Sequence, residues 1–327
     1  MPPCLRFGLY DPGCPCQLAP VAALEEKLGA PISIISWYQA WGSGQAAPRP
    51  DLIQEAQSLG LIPLITWEPW RLPESAAEQQ QPADQPAFAL ARLLSGAYDH
   101  YIDTWAQALA TCQAPVWLRP LHEMNGNWYP WGGTVNGNTP HLFRAVWKYL
   151  RQRFTVAGAQ NVSWVWCPYV QSVPDTSDNA LECYFPGPEQ VDWLGLDGYN
   201  WGTSQTWSRW QSFAELFGEA YQRLLALAPA KPVILAELGC AEMGGDKAAW
   251  LRQAFGEIIS HFDKIQAVVW FQINKECDWR LTSSPAARQA FGDCRQFFCA
   301  RKKTGALAGA RQPDAALLPT SPAAQQK

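Results

Sequence analysis

Two glutamates at the ends of apolar runs are the residues best suited to acid–base chemistry. Glu123 follows an apolar run over residues 114–121 that contains prolines and branched and aromatic residues, which predicts a buried strand. Glu237 ends a second apolar run, KPVILAELG. Because burial of an unpaired charge costs several kcal/mol, polar groups at a strand end more often face a cleft than a core. Two such carboxylates in one cleft could cut a glycosidic bond, with Glu123 as the acid and Glu237 as the nucleophile.

A structural alternative for Glu123 is an ion pair with Arg119, four residues earlier. That pair explains one carboxylate and leaves the second unexplained. Arg119 could equally pair with a core carboxylate instead of setting the charge of the site. Glu68 and Asp197 also end apolar runs, and either could take a catalytic role if the strand register differed by one residue.

The elements that must position these groups alternate regularly along the chain. Apolar runs of strand type cover residues 5–10, 32–37, 61–67, 114–121, 162–167, 191–197, 232–237 and 265–272. Segments that we expect to be helical cover residues 20–28, 51–59, 96–111, 141–154, 213–227, 247–261 and 285–301. This alternation predicts an α/β fold, a single-domain (β/α)8 TIM barrel. The fourth and seventh strands of such a barrel bring both glutamates to one mouth.

The barrel should span residues 4–302, followed by a disordered tail over residues 303–327, which is rich in Ala, Pro and Gln. Residues 71–86 predict a solvated loop. Residues 168–190 predict a long loop over one end of the fold.

Composition narrows the class of ligand. The 327 residues include 25 basic and 29 acidic side chains, for a net charge of −4, so neither a nucleic acid nor a membrane surface is the expected partner. The 18 tryptophans exceed the needs of a core and suggest surfaces that bind flat rings. We therefore expect a polysaccharide or oligosaccharide substrate and a monomeric protein.

The ten cysteines are scattered, and we expect mostly reduced, individually buried thiols. The neighbouring pairs Cys14/Cys16 and Cys294/Cys299 are the local exceptions, but neither has the spacing of a zinc site. We expect no metal and no organic cofactor, since two carboxylates and water suffice for glycoside hydrolysis. The first residues lack an apolar signal-peptide core, so the localisation stays open: cytoplasmic by default, extracellular if a leader is missing.

The stretch RPLHEMNGNWYPWG, residues 119–132, resembles the acid/base motif of glycoside hydrolase family 26. This clan A barrel family contains β-mannanases and mixed-linkage β-glucanases. The resemblance continues through NVSWVWCPY, VDWLGLDGYNW and AELG. It implies that Glu123 is the acid/base, that His122 precedes it in the motif, and that Glu237 is the nucleophile.

The resemblance also implies supporting roles. Tyr199 matches a tyrosine that hydrogen-bonds the nucleophile, although it could be an ordinary strand-end aromatic. Trp128 and Trp270 match positions that shape the sugar site. The run from Trp128 to Trp131 is more similar to the glucanase branch than to the mannanases.

Further substrate contacts are expected from residues near strand ends. Each has a structural alternative: a tryptophan could pack beneath a loop, and an asparagine could serve a turn. The complete set of expected substrate-binding residues is Arg119, Asn125, Trp128, Trp131, Trp67, Trp201 and Trp270.

The leading hypothesis is a retaining endo-β-glycosidase acting on β-1,4-mannan or mixed-linkage β-1,3-1,4-glucan by double displacement. A non-hydrolysing carbohydrate-binding barrel fits the tryptophans equally well but does not need the two carboxylates. An intracellular glycosidase that trims a self-made exopolysaccharide is a third possibility.

Overall fold

The computed structural model describes residues 4–15, 18, 20–42 and 47–299. Eight parallel strands form a closed barrel in chain order, which confirms the predicted (β/α)8 fold. The strands are β1 (Arg6–Tyr10), β2 (Ile34–Ala40), β3 (Ile62–Glu68), β4 (Val116–Pro120), β5 (Val162–Trp166), β6 (Trp193–Asn200), β7 (Val233–Cys240) and β8 (Ile265–Phe271). The tail expected over residues 303–327 lies outside the described residues.

Helices follow the strands on the outside of the barrel. They are α1 (Pro20–Leu28), α2 (Pro50–Ser58), α3 (Ala76–Gln80), α4 (Leu90–Leu94), α5 (Asp99–Cys112), α6 (Pro140–Val156), α7 (Phe213–Leu227), α8 (Lys247–His261) and α9 (Pro285–Asp293). None of the described helices is long and apolar enough to span a membrane.

The apolar side chains form separate layers. A large cluster fills the space between the strands and the surrounding helices. A second cluster plugs the lower part of the barrel, where Trp117 and Trp193 pack with ring centroids 4.5 Å apart. A third, aromatic cluster lines the mouth and includes Tyr10, Tyr199 and Trp201. Buried polar groups lie between the second and third clusters, so the interior changes from apolar to polar toward the carboxyl ends of the strands.

Two local expectations need correction. Residues 71–86 are not loop throughout, because they include α3. This helix begins with a capping box, in which the Ser75 side chain accepts from the Glu78 N–H and the Glu78 side chain accepts from the Ser75 N–H. The last helix ends at Asp293 and not at residue 301, because the following 3-10 turn leads the chain back to the start of β1, where Leu5 bridges Phe298.

The cysteines also depart from expectation at one pair. Cys4 and Cys299 form a disulfide across a sequence separation of 295 residues, so the expectation of reduced thiols is wrong for them. The bridge between Leu5 and Phe298 places the two cysteines side by side. The sequence does not reveal this contact because it depends on closure of the barrel.

The disulfide should contribute measurably to stability. Replacing Cys4 and Cys299 by Ser removes a link that closes almost the whole chain, so we expect the free energy of unfolding to fall by roughly 2–5 kcal/mol. Urea unfolding of the double variant measures this, with Cys112→Ser, at a free and half-buried thiol, as the control. An unchanged midpoint in the double variant would show that the link adds no stability.

Candidate active site

Glu123 and Glu237 lie side by side at the mouth of the barrel, and both are buried. One carboxylate oxygen of each lies within 4.8 Å of the other. Retaining glycosidases hold their two carboxyl groups about 5–5.5 Å apart, whereas inverting enzymes need about 6.5–9.5 Å to admit a water. The separation of the two carboxylates is therefore closer to that of retaining enzymes than to that of inverting enzymes.

Glu237 faces the interior because β7 contains a bulge. Ile234 and Ala236 line the interior of the barrel, whereas Leu235 and Leu238 face the helices. Strict alternation would turn Glu237 outward with Leu235. The register with β6 shifts by one residue immediately before Glu237, leaving Ala236 as the extra residue, and the register with β8 shifts in the same stretch. The bulge thereby redirects the Glu237 side chain into the cleft.

Glu123 is placed by an unusual turn after β4. Leu121 and Glu123 both have φ of 53°, a left-handed conformation that non-glycine residues seldom adopt and that often marks functional sites. The Glu123 N–H donates to the Cys167 carbonyl at 2.8 Å, and the Trp128 Nε1–H donates to Glu123 Oε2 at 2.6 Å. The backbone and the carboxylate of Glu123 are therefore both fixed.

Three donors surround the Glu237 carboxylate. Arg119 Nη2 donates to Oε1 at 2.7 Å, and the Tyr38 hydroxyl donates to the same oxygen. The Tyr199 hydroxyl donates to Oε2, as expected from the family resemblance. Tyr38 is not predicted as a site residue from the sequence. The signal for it is its place in SWYQ, the aromatic and polar segment at the end of β2. Together the donors stabilise the carboxylate as an anion and fix its orientation.

Arg119 is completely buried beneath the two glutamates. Its guanidinium contacts Asp197 at 2.6 Å, Glu237 at 2.7 Å and Thr66 Oγ1 at 2.7 Å. Burial alone would lower its pKa, but Asp197 and Glu237 outweigh that effect and hold the pKa well above its usual value. The expected contact between Arg119 and substrate is therefore wrong. The two predicted alternatives are both present, because Arg119 pairs with Asp197 and also sets the charge of the site through its contact with Glu237.

The tyrosines around the glutamates keep their protons. Burial, followed by the charge of Glu237, raises the pKa of both Tyr38 and Tyr199 well above the ordinary value. Burial and the nearby Glu123 raise the pKa of Tyr129 in the same way. These hydroxyls therefore stay hydrogen-bond donors across the neutral and mildly alkaline range.

His122 lies between Tyr129 of the motif and Glu237. Its Nε2 lies 3.2 Å from the Tyr129 hydroxyl and 3.9 Å from Glu237 Oε1. Trp131 is buried, stacks on Tyr129 with centroids 4.5 Å apart, and donates from Nε1 to the His122 carbonyl at 2.7 Å. Trp131 therefore packs behind the motif and holds the His122 backbone in place. The expected contact between Trp131 and substrate is wrong.

Asn125 is also a structural residue. Its side-chain amide donates to the Tyr169 carbonyl at 2.9 Å and accepts from the Tyr169 N–H at 2.9 Å. It also donates to Ser172 Oγ at 3.2 Å. Since both ends of the buried amide bind the loop after β5, Asn125 joins two loops and is not placed to bind a sugar hydroxyl.

Trp67 and Trp270 face away from the cleft. Both rings are buried in the outer cluster between strands and helices. Trp67 packs on Tyr101 and donates to its hydroxyl at 3.3 Å. Trp270 donates to the Trp279 carbonyl at 2.9 Å and packs beneath the buried Lys247 ammonium. The expectation that these two rings bind substrate is wrong, because alternation along β3 and β8 points them outward.

Trp128 and Trp201 stay at the mouth of the barrel. Trp128 is half-buried beside Glu123. Trp201 packs edge-on against Trp279, with centroids 4.8 Å apart, in the cluster that contains Tyr199. Trp279 was not predicted as a site residue, since nothing in its local sequence shows that the loop after β8 folds back over the mouth.

Among the described residues, His122, Glu123, Asp197 and Glu237 are close enough together to share a metal ion. Arg119 already supplies a positive charge to two of these carboxylates at 2.6–2.7 Å. The arrangement is better suited to proton transfer and nucleophilic attack than to holding a second cation.

Replacing Tyr38 by Phe removes one donor from Glu237 and keeps the ring. A hydrogen bond to a charged group is worth about 1.5–3 kcal/mol, so kcat/KM on a cleaved glycan should fall roughly 10- to 100-fold. Steady-state kinetics measure the loss, and circular dichroism checks the fold. Tyr101→Phe, at a buried hydroxyl that bonds Trp67 outside the barrel, is the matched control and should keep its activity. Wild-type kinetics in Tyr38→Phe would remove Tyr38 from the site.

Comparisons with known proteins bear on the family of the chain. The glycosyl hydrolase family 26 model matches residues 53–276. Endoglucanase H of Acetivibrio thermocellus is 35% identical over 290 residues, which cover 88% of this chain and 30% of that protein. A mannan endo-1,4-beta-mannosidase of Bacillus subtilis is 33% identical over 98 residues, or 28% of this chain and 25% of that protein. The chain thus spans a third or less of the length of these relatives.

Solved structures share the fold. A GH26 β-mannanase from Bacteroides ovatus aligns with a TM-score of 0.63 at 16% identity, over 95% of each chain. The Bacillus subtilis mannanase man26 aligns with a TM-score of 0.60 at 18% identity, over 94% of this chain and 89% of that one. Since the family model extends from α2 to the loop beyond β8, the chain belongs to glycosyl hydrolase family 26.

Proposed function

We propose that this protein is a retaining endo-β-glycosidase that hydrolyses a β-linked polysaccharide by double displacement. The observation that carries the proposal is the pair of carboxylates within 4.8 Å of each other. One of them, Glu237, is held by three donors as an anion. The other, Glu123, accepts the Trp128 indole N–H at Oε2.

In the first step, Glu237 attacks the anomeric carbon as the glycosidic C–O bond breaks. Glu123 gives its proton to the departing oxygen, and an ester between Glu237 and the sugar remains. In the second step, Glu123 takes a proton from water as that water attacks the anomeric carbon. The ester bond breaks, Glu237 returns to its carboxylate form, and the product keeps the β configuration.

Surrounding residues prepare Glu237 for both steps. Arg119, Tyr38 and Tyr199 stabilise the carboxylate that attacks first and leaves second. Because their donors are already in place, no reorganisation is needed when charge returns to Glu237. Asp197 balances Arg119 from the opposite side, so it acts on the reaction through the arginine.

For the substrate, we infer a β-glucan with 1,4-linkages, including mixed-linkage glucan. The relative named endoglucanase aligns over 88% of the chain, and the motif between Trp128 and Trp131 resembles the glucanase branch. β-1,4-Mannan is the second candidate, supported by shorter alignments to relatives named mannan endo-1,4-beta-mannosidase. A non-hydrolysing barrel would have no use for an acid and an oriented anion in contact range.

The disulfide bears on where the enzyme works. Disulfides form and persist in oxidising compartments, so the bond between Cys4 and Cys299 favours an exported enzyme that meets an external polysaccharide. We therefore propose this location over an intracellular enzyme acting on a self-made exopolysaccharide. Alkylation of the thiols in protein taken from its native cell tests this location. Cys4 and Cys299 that resist alkylation support export, and alkylation of both contradicts it.

Proton NMR of the first products tests the proposed mechanism. On barley glucan, lichenan and mannan, we expect internal cleavage in which the β anomer appears first and later mutarotates. Glu237→Gln should lower the rate at least about 10³-fold, whereas Glu55→Gln, on the exposed face of α2, should not. An α anomer appearing first would mean inversion and would overturn the nucleophile assignment.

The raised pKa values of Tyr38, Tyr199 and Arg119 predict a specific pH profile. A raised pKa keeps each donor protonated to higher pH, so none should lose its proton below the ordinary tyrosine value of about 10. In Glu123→Ala with an activated aryl glycoside, which needs no acid, kcat/KM should stay flat from pH 7 to about 10.

Wild-type protein acting on the unactivated polymer serves as the control and should lose activity on the alkaline side, because Glu123 must start protonated. A fall in kcat/KM of the Glu123→Ala variant near pH 9 would show that one of the donors to Glu237 loses its proton there, which would contradict the raised pKa values.

A further inference from the structure

An exposed tryptophan stands beside the cleft. Among the large apolar side chains that are exposed in the described residues, Trp207 is the only aromatic one, with 69% of its surface accessible. It lies in the loop between β6 and α7, at the same end of the barrel as Glu237. A large exposed ring near an active site is typical of a binding surface.

The loop that carries Trp207 is held at several points. Asn200 Oδ1 accepts from the N–H groups of Gly202 and Gln211, each at 3.1 Å. Ser208 Oγ donates to the Gly202 carbonyl at 2.8 Å. Gly202 has φ of +54°, and a Cβ there would lie 1.7 Å from the Met243 carbonyl oxygen, so the loop packs closely on the segment after β7. The ring is thus presented on a preorganised loop, which lowers the entropy lost on binding.

An aromatic row connects Trp207 to the nucleophile. The Trp207 ring packs edge-on against the Trp201 ring, with centroids 5.3 Å apart. The centroids of the Trp201 and Tyr199 rings are 6.2 Å apart. Tyr199 in turn donates to Glu237. The exposed ring is therefore connected to Glu237 through two buried aromatic side chains.

Trp201, which supports the Trp207 ring, is itself buried. Trp201 is 5% exposed, and its buried Nε1–H has no acceptor among the described residues. A buried N–H without an acceptor is unfavourable. That N–H has essentially no accessible surface, so a ligand in this region would contact the exposed Trp207 ring and not Trp201 Nε1.

We propose that Trp207, supported by Trp201, forms a distal sugar subsite in which one pyranose of a bound β-glycan stacks on the exposed Trp207 ring. The proposal rests on the proposed function, since it extends the same cleft along the same polymer. A pyranose fits because its C–H face suits the indole ring while its hydroxyls line its edge.

Chain-length kinetics test the subsite. We expect Trp207→Ala to lower the ratio of kcat/KM on a mixed-linkage hexasaccharide to that on the trisaccharide by about tenfold, a loss typical of one removed ring contact. Trp207→Phe should restore most of the ratio. Val156→Ala, at an 82% exposed side chain at the far end of α6, is the control and should match wild type.

Calorimetric titration in a Glu237→Ala background separates this proposal from the hydrolase assignment. Mixed-linkage hexasaccharide and mannohexaose are the probes. Weaker binding after Trp207→Ala supports the subsite even if the wild-type protein cuts no glycan. Binding and chain-length ratios that match the unsubstituted protein would overturn the subsite while leaving hydrolysis intact. Binding of neither probe, together with no cleavage, would overturn both.

Discussion

The buried contact of Arg119 with Asp197 and Glu237 is the interaction on which the rest of the site depends. Three charges are enclosed in the barrel, with the guanidinium 2.6–2.7 Å from each carboxylate. Removing one member of such a cluster leaves an uncompensated buried charge, which costs several kcal/mol. Thr66 and the hydroxyls of Tyr38 and Tyr199 occupy further hydrogen-bonding positions around it. The same contacts therefore balance the buried charges and fix the orientation of the Glu237 carboxylate.

This cluster connects the fold to the chemistry. The lower barrel is filled by apolar side chains, so charged groups are confined to the layer beneath the mouth. The bulge in β7 turns Glu237 into that layer, and the left-handed turn after β4 brings Glu123 over it. Irregular backbone at these two strand ends is what converts a regular barrel into a site with two adjacent carboxylates. Elsewhere in the barrel, Trp67 and Trp270 follow ordinary alternation and remain packing residues.

The sequence was sufficient for the architecture and the two principal glutamates, because strand and helix periods repeat and polar residues follow the apolar runs. It was insufficient wherever the direction of a side chain depended on tertiary register. Alternation alone cannot reveal the bulge at Ala236, nor show that Trp131 and Asn125 support other residues. Tyr38 and the Cys4–Cys299 bond depend on contacts across 199 and 295 positions. The family resemblance gave roles for Glu123, Glu237 and Tyr199 but misplaced Trp270.

Trapping of the glycosyl-enzyme tests whether Glu237 is the residue that forms the covalent bond to the sugar. A 2-deoxy-2-fluoro β-glycoside with an activated leaving group forms the ester and slows its hydrolysis, because the fluorine destabilises the electron-poor transition state of both steps. After proteolysis, mass spectrometry locates the sugar. We expect one sugar per chain, attached to Glu237 and lost in Glu237→Gln. A sugar attached to Glu68, Asp197 or Glu123 would contradict it, as would cleavage of a natural glycan that releases the inverted anomer.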